Sequence, residues 1–141
     1  MSQTKVGVVD KPLPKPTPVS QPFWTALRQH KVMIQYSPSS DRWVFYPRVL
    51  APGTLADDLE WREISGLATL YTFTVTPTPT APPWADSVPQ LLAVVELDEG
   101  PKMTTELVNA APDVLEVGMR VKPVFCDVEG TDITLLRYEP A

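Results

Sequence analysis

Residues 36–54 read Tyr36-Ser37-Pro38-Ser39-Ser40-Asp41-Arg42-Trp43-Val44-Phe45-Tyr46-Pro47-Arg48-Val49-Leu50-Ala51-Pro52-Gly53-Thr54, and two short knuckles of matched spacing sit inside them. Ser37 and Ser40 are three apart, Ala51 and Thr54 likewise, and ten residues separate the two pairs. With cysteine at those four positions the line would be C-x2-C, ten residues, C-x2-C, by which two tight turns offer four thiolates tetrahedrally to one zinc ion. None of the four is cysteine. Hydroxyls and a methyl group do not replace thiolates as ligands in a closed zinc site, and the one histidine, His30, lies outside the knuckles. A ribbon shape without its metal is therefore expected. Ser, Pro, Asp and Gly are also ordinary turn residues, so plain turns around a strand read equally well from spacing alone.

Working outward, Val32–Tyr36 reads as a strand entering the first knuckle and Trp43–Tyr46 as a strand between the two. Upstream, Ser20 suits the cap of a helix whose first turn tolerates Pro22, and Phe23, Ala26, Leu27 and His30 fall at helical spacings on one side, which predicts a helix of about ten residues. His30 near its end favours the helix dipole when protonated. Phe23 and Trp24 are adjacent and point about 100° apart on a helix, so one of them is a candidate partner contact. Before the helix, Pro12, Pro14, Pro16 and Pro18 block both helix and sheet and favour extended backbone, so residues 1–19 read as a flexible or partner-draped arm.

From Leu59 onward the period becomes two. Thr69, Tyr71, Phe73 and Val75 alternate with Leu70, Thr72, Thr74 and Thr76, as in a long strand with an apolar and a hydroxyl face, and Gly66 before it marks a bend. Residues 77–89 form a proline-rich loop around Trp84, which reads either as a lid packed on the body or as a contact to a partner or acyl ligand. Strands follow at 91–97 and 102–108 around a turn at Asp98-Glu99-Gly100-Pro101, then at 117–125 and 133–136 around Glu129-Gly130. Five strands with only a short connection at Ala111-Pro112-Asp113 match a small Greek-key barrel of the OB type.

The ordered set Phe23-Trp24-x-x-Leu27, Phe45-Tyr46-Pro47-Arg48, Ser65-Gly66, Tyr71-Thr72-Phe73-Thr74, Leu97-Asp98-Glu99-Gly100 and Val117-Gly118-Met119-Arg120-Val121 resembles the OB-fold proteins associated with acyl-CoA enzymes. These are a domain-of-unknown-function family built from an N-terminal helix, a rubredoxin-like zinc ribbon and an OB barrel. The resemblance covers residues 20–139 and departs from the family at all four zinc positions, Ser37, Ser40, Ala51 and Thr54. It implies a mainly β chain: an arm over 1–19, a helix plus metal-free ribbon lobe over 20–58, and a barrel over 59–141. It also implies an accessory subunit working beside a thiolase-like enzyme, an aldolase or an acyl-CoA hydratase, with a coenzyme A thioester as candidate ligand at the shared interface and no cofactor held by the chain itself. Phe23, Trp24, Trp43, Arg48 and Trp84 are the candidate contacts to partner or acyl-CoA.

Composition bounds these expectations. The chain has 141 residues, 43% of them hydrophobic, which suits one domain or a domain with a small lobe. No run of apolar residues is long enough for a membrane span and Met1–Thr17 lacks a signal-peptide core, so a cytoplasmic location is expected. The lone Cys126 lies in a strand-like run and reads as a buried, inert thiol. A net charge of −5 disfavours nucleic acid, although Tyr71 and Phe73 could stack bases in an OB-fold single-stranded nucleic-acid module, which is the alternative reading.

Catalytic chemistry is sparse. One histidine and one cysteine stand far apart without an elbow motif, and no phosphate-cradling glycine motif is present. Asp57, Asp58 and Glu60 read as a solvated acidic edge, and Arg48 as either an ion pair within the lobe or a ligand for a coenzyme A phosphate. A structural zinc contributes about 10–16 kcal/mol to a small lobe. Burying Trp43, Phe45 and Tyr46 contributes at most about 1.5–3 kcal/mol each. The lobe is expected to be loosely held alone, or to lean on the barrel or a partner.

Overall fold

The computed structural model describes residues 11–79 and 81–141, so the reading of the arm's first ten residues lies outside the described residues. Among the described residues the chain is mainly β, with one α-helix, a three-stranded sheet and a five-stranded antiparallel barrel. The helix α1 (Gln21–Arg28) is eight residues long, shorter than its spacing predicted. Ser20 occupies the cap position, but its hydroxyl turns back to accept the Thr17 N–H at 2.9 Å and makes no bond to the helix. At the other end His30 takes a positive φ of 58°, with His30 N–H donating to Leu27 O and Lys31 N–H to Ala26 O, both at 2.9 Å. That paired closure ends the helix one residue beyond its cap. Phe23, Ala26 and Leu27 face the core.

The small sheet centres on β1 (Val32–Ser37), flanked by β2 (Arg42–Val44) and β3 (Glu60–Ile64), both antiparallel to it. Two expectations change here. Strand β2 stops at Val44, short of Tyr46. Residues 60–64, assigned to the barrel by their period, instead pair along β1 from Val32↔Ile64 to Tyr36↔Glu60. The physical reason is that β2 covers only Gln35–Ser37, leaving the other edge of β1 to β3, while Gly66 with φ +77° bends the chain only after β3 is complete.

The barrel comprises β4 (Ala68–Thr76), β5 (Gln90–Leu97), β6 (Lys102–Glu106), β7 (Arg120–Asp127) and β8 (Thr134–Pro140), in the spatial order β6-β5-β4-β7-β8. Leu107 bridges Tyr138 in parallel and Val108 N–H donates to Tyr138 O at 2.8 Å, which nearly closes the circle in the Greek-key connectivity of an OB fold. The five strands fall in the expected order between the expected turns, though β7 begins at Arg120 rather than Val117 and β8 runs on to Pro140. The inward face of β4 departs from the expected one. Ala68 and Leu70 are buried ahead of a bulge between Leu70 and Thr72 that leaves Tyr71 exposed, and beyond it the pairing brings Phe73 opposite the buried Ala93 and against the core, while Val75 near the strand's end is exposed.

A single core runs through both sheets. Phe23 and Leu27 of the helix and Val32, Ile34 and Ile64 of the small sheet join Leu70, Val95, Val121 and Tyr138 of the barrel. The ribbon lobe therefore leans on the barrel, one of the two supports expected for a lobe without a metal. Tyr138, fully buried, donates its hydroxyl to Gly66 O at 2.7 Å, and burial pushes its phenol well above the ordinary range. A Cβ on Gly66 would stand 3.0 Å from Pro123 Cγ and 3.1 Å from Val32 Cγ2, so glycine is required where the two sheets meet.

Candidate functional site

The two knuckles are brought together by hydroxyls. Ser37 Oγ donates to Asp58 Oδ1 at 2.7 Å and Ser39 N–H donates to Asp58 Oδ2 at 2.8 Å, so one carboxylate spans the first knuckle. Ser40 N–H donates to Ser37 Oγ at 3.3 Å, and the Ser40 and Thr54 hydroxyls share a hydrogen bond of 2.7 Å across to the second knuckle. The second knuckle is held by Leu55 N–H to Ala51 O and Ala51 N–H to Ala56 O, both 2.9 Å, with the Ala51 side chain buried. The Ser37 hydroxyl first, then the bonds from Ser39, hold the Asp58 carboxyl down to about 2. Asp58 is therefore not part of a solvated edge as its neighbours suggested. Asp57 is exposed and Glu60 pairs with Arg62, but Asp58 is the anchor of the first turn.

These residues do not fit a zinc ion. Two oxygens bound to one tetrahedral zinc at about 2.0 Å stand roughly 3.3 Å apart. The Ser40 and Thr54 hydroxyls instead approach to 2.7 Å and satisfy each other, while Ala51 offers no donor atom. Among the described residues no three His, Cys, Asp or Glu side chains are grouped to hold a metal.

Between the knuckles the chain is clamped from behind. The buried Gln35 side chain of β1 donates to Arg48 O at 2.8 Å and accepts Arg48 N–H at 2.7 Å, copying a strand pairing with a side chain. Tyr36 lies between Trp43, with ring centres 4.9 Å apart, and the Arg62 guanidinium 4.2 Å from its centre, and its hydroxyl bonds Asp41. The clamp leaves the Arg48 side chain exposed and without an ion pair among the described residues, so the internal ion pair expected of it is not formed. Around Arg48 the knuckle presents an apolar tip: Val49 is 76% exposed, Leu55 71%, Tyr46 50% and Leu50 41%. Isolated exposed apolar residues are ordinary; here Val49, Leu50 and Leu55 stand close together along the chain, while the Tyr46 hydroxyl is already engaged, accepting the Thr104 N–H at 3.3 Å.

Trp43 and Phe45 line a cleft of about 470 Å³ between the ribbon and the β5–β6 turn, together with Asp41, Arg42, Glu99 and Pro101. One Glu99 carboxylate oxygen is buried there with no hydrogen-bond partner among the described residues. Of the other candidate contacts, Phe23 is buried, packing on Trp24 with ring centres 5.3 Å apart and on Phe45 at 5.5 Å. Trp24 is half-buried and also packs against the core, so the two neighbouring rings share it where their helical directions had left one of them for a partner. Trp84 sits half-buried in a short 3-10 turn at Pro82–Trp84, and Lys11 of the arm donates to Ser87 Oγ of the same loop at 2.6 Å. The structure brings Trp43 to the knuckles and leaves Trp84 on a separate loop. Asp58, Gln35 and the apolar tip are the residues that sequence reasoning missed; the polar type of Gln35 inside a strand otherwise read as apolar was the available signal.

His30 meets the barrel. Its ring stacks on Phe125, centres 5.1 Å apart, and Nε2 lies 3.1 Å from both oxygens of Asp127, which also accepts the Thr134 hydroxyl at 2.6 Å. The Thr134 bond first and His30 second lower the Asp127 carboxyl. Cys126 lies between Phe125 and Asp127 in β7, where strand alternation sends its side chain to the opposite face, and burial pushes its half-buried thiol up. Cys126 and His30 thus do not lie on the same face of β7.

Comparison with known proteins agrees with this architecture. Residues 61–126 match the family of the ChsH2 C-terminal OB-fold domain. A DUF35 domain-containing scaffold protein of Methanothermobacter thermautotrophicus is 37% identical over 93 residues, covering 63% of this chain and 69% of the relative. The 3-oxo-4,17-pregnadiene-20-carboxyl-CoA hydratase alpha subunit of Mycobacterium tuberculosis is 31% identical over 121 residues, 84% of this chain. The chain spans 36% of that subunit's length. Among solved structures, a chain of the Ltp2–ChsH2(DUF35) aldolase superposes with a TM-score of 0.80 at 27% identity, covering 91% of this chain and 98% of that one.

Proposed function

The chain belongs to the DUF35 family of OB-fold scaffold proteins, and from that premise we propose that it is a non-catalytic accessory subunit of an enzyme acting on acyl-CoA thioesters. The partner is a thiolase-like enzyme, an aldolase or an acyl-CoA hydratase, in a hetero-oligomer. The observation that carries this reading is the exposure of the apolar Val49, Leu50 and Leu55 close in the chain to the Arg48 backbone that Gln35 clamps. A surface held in place at no gain to the chain's own core is the feature a docking subunit needs. The Mycobacterium tuberculosis hydratase subunit and the aldolase complex are the relatives that motivate the partner classes. Arg48, exposed beside the tip, is the group proposed to meet a coenzyme A phosphate at the shared interface, and Trp43 in the adjoining cleft the ring beside it.

The nucleic-acid alternative gains nothing from the fold. Tyr71 is exposed with the Lys102 ammonium 4.8 Å from its ring centre, but Phe73 packs against the core, so the pair does not form a stacking platform. Among the described residues no helix is long and apolar enough to cross a membrane, and a cytoplasmic location belongs to the same proposal. The test is a tagged pull-down from the native host with mass spectrometry, repeated with Val49→Glu and Leu55→Glu. Near-stoichiometric recovery of an acyl-CoA enzyme, lost in both variants, is the expected result. Full acyl-CoA activity in the isolated chain would overturn it.

A further inference from the structure

We propose that the chain Asp58–Ser37–Ser40–Thr54 closes the two knuckles in place of a metal, and that the ribbon is thereby independent of metal ions and of thiol chemistry. Each link is on hand. The Asp58 carboxylate takes one bond from the Ser37 hydroxyl and one from the Ser39 backbone, fixing the first turn from both sides. Ser37 Oγ, while donating to Asp58, accepts the Ser40 N–H, and the Ser40 hydroxyl shares a hydrogen bond with that of Thr54 2.7 Å away. Thr54 Oγ1 also accepts Ala56 N–H at 3.3 Å, tying the second turn into the same series. Three of the four knuckle positions thus use their oxygens on one another, and the fourth, Ala51, fills the interior as a buried methyl.

The arrangement differs from a thiolate cluster in what breaks it. A zinc site fails to chelators and oxidants, because its ligands are thiolates and its energy is the metal's. This one contains neither, and the group on which it turns is a carboxylate held ionised well below the ordinary range. Charge-assisted bonds to a carboxylate are the stronger kind, so the first knuckle is anchored more firmly than the Ser40–Thr54 link that joins the two. The consequence for the chain is that Arg48, Val49 and Leu50, which lie between the knuckles, are presented identically in reducing, oxidising, metal-rich and metal-poor surroundings.

The experiment is hydrogen exchange on the full chain, read over residues 37–58 with the barrel strands as internal control, alongside metal analysis of the purified protein. Expected are no stoichiometric metal and no change in exchange on adding EDTA. Asp58→Ala should speed exchange over the ribbon segment by about tenfold or more with barrel amides unchanged, Thr54→Val should do so to a smaller extent, and Asp57→Ala should not. Should Asp58→Ala loosen the barrel as well, Thr54→Val, which keeps size and removes only the hydroxyl link, decides the matter. Stoichiometric metal whose removal loosens residues 37–58, or unchanged exchange in both Asp58→Ala and Thr54→Val, would overturn the proposal.

Discussion

The barrel and the ribbon each hang on a side-chain hydrogen bond of 2.7 Å, Tyr138 to Gly66 O in one and Ser37 to Asp58 in the other, but the surroundings are opposite. Tyr138 is fully buried in a continuous apolar core, where its bond satisfies a carbonyl that water cannot reach. Asp58 sits near the surface at the foot of an exposed turn. The first bond guards against an uncompensated polar group inside a structure held by apolar packing. The second bond is itself a main part of what holds the turn. Similar distances therefore carry different meanings: in the barrel the bond is a condition of burial, in the ribbon it stands where packing is thin.

The largest effect expected from breaking this comparison is in the shared core. Leu70→Ala should lower stability by about 2–5 kcal/mol in denaturant unfolding, with tryptophan fluorescence and far-UV circular dichroism falling together because the core crosses both sheets. Separate transitions would show the ribbon to be the more independent lobe. Tyr138→Phe comes next, at about 1–3 kcal/mol, since it leaves Gly66 O buried without its donor. A measured change near zero would mean that another donor reaches that carbonyl.

Acid should separate the two regions where mutation does not. The Asp58 carboxyl is lowered from 3.8 to about 2 on folding, so its contribution is complete above the ordinary value and is lost as the pH falls through about 2. Exchange over residues 37–58 should rise through that window while the β4–β5 amides stay protected, and simultaneous loss would merge the two regions into one acid transition. The smallest effect belongs to Arg120→Gln. Arg120 holds Asp98 through two bonds of 2.7 and 2.9 Å, but both are exposed, and the unfolding midpoint should shift little. A large shift would show that the barrel too relies on surface polar ties.

Much of the barrel was legible along the chain because its strands are bounded by Gly and Pro turns and its residues alternate locally. The phase of β4 was not, since the bulge at Tyr71 is decided by how Leu70 and Thr72 meet Val95 and Val94 on another strand. The allegiance of Glu60–Ile64 was hidden for the same reason: its period of two fits either sheet, and the vacant edge of β1 decides. Arg48 looked like the charged member of the lobe. Its backbone turned out to be the part in use, because Gln35 reaches it across 13 positions of sequence.

Sequence alone determined that no thiolate stands at Ser37, Ser40, Ala51 or Thr54, and so which chemistry cannot close the knuckles, because ligand type is a property of a residue and needs no neighbour. It likewise determined the count of barrel strands, which rests on local alternation and turn residues. Only the tertiary structure decided which groups tie the knuckles together. A hydrogen bond depends on the distance and direction between groups, and Asp58 is 21 positions from Ser37 and Thr54 is 14 from Ser40, so folding had to bring them together before their chemistry could be read.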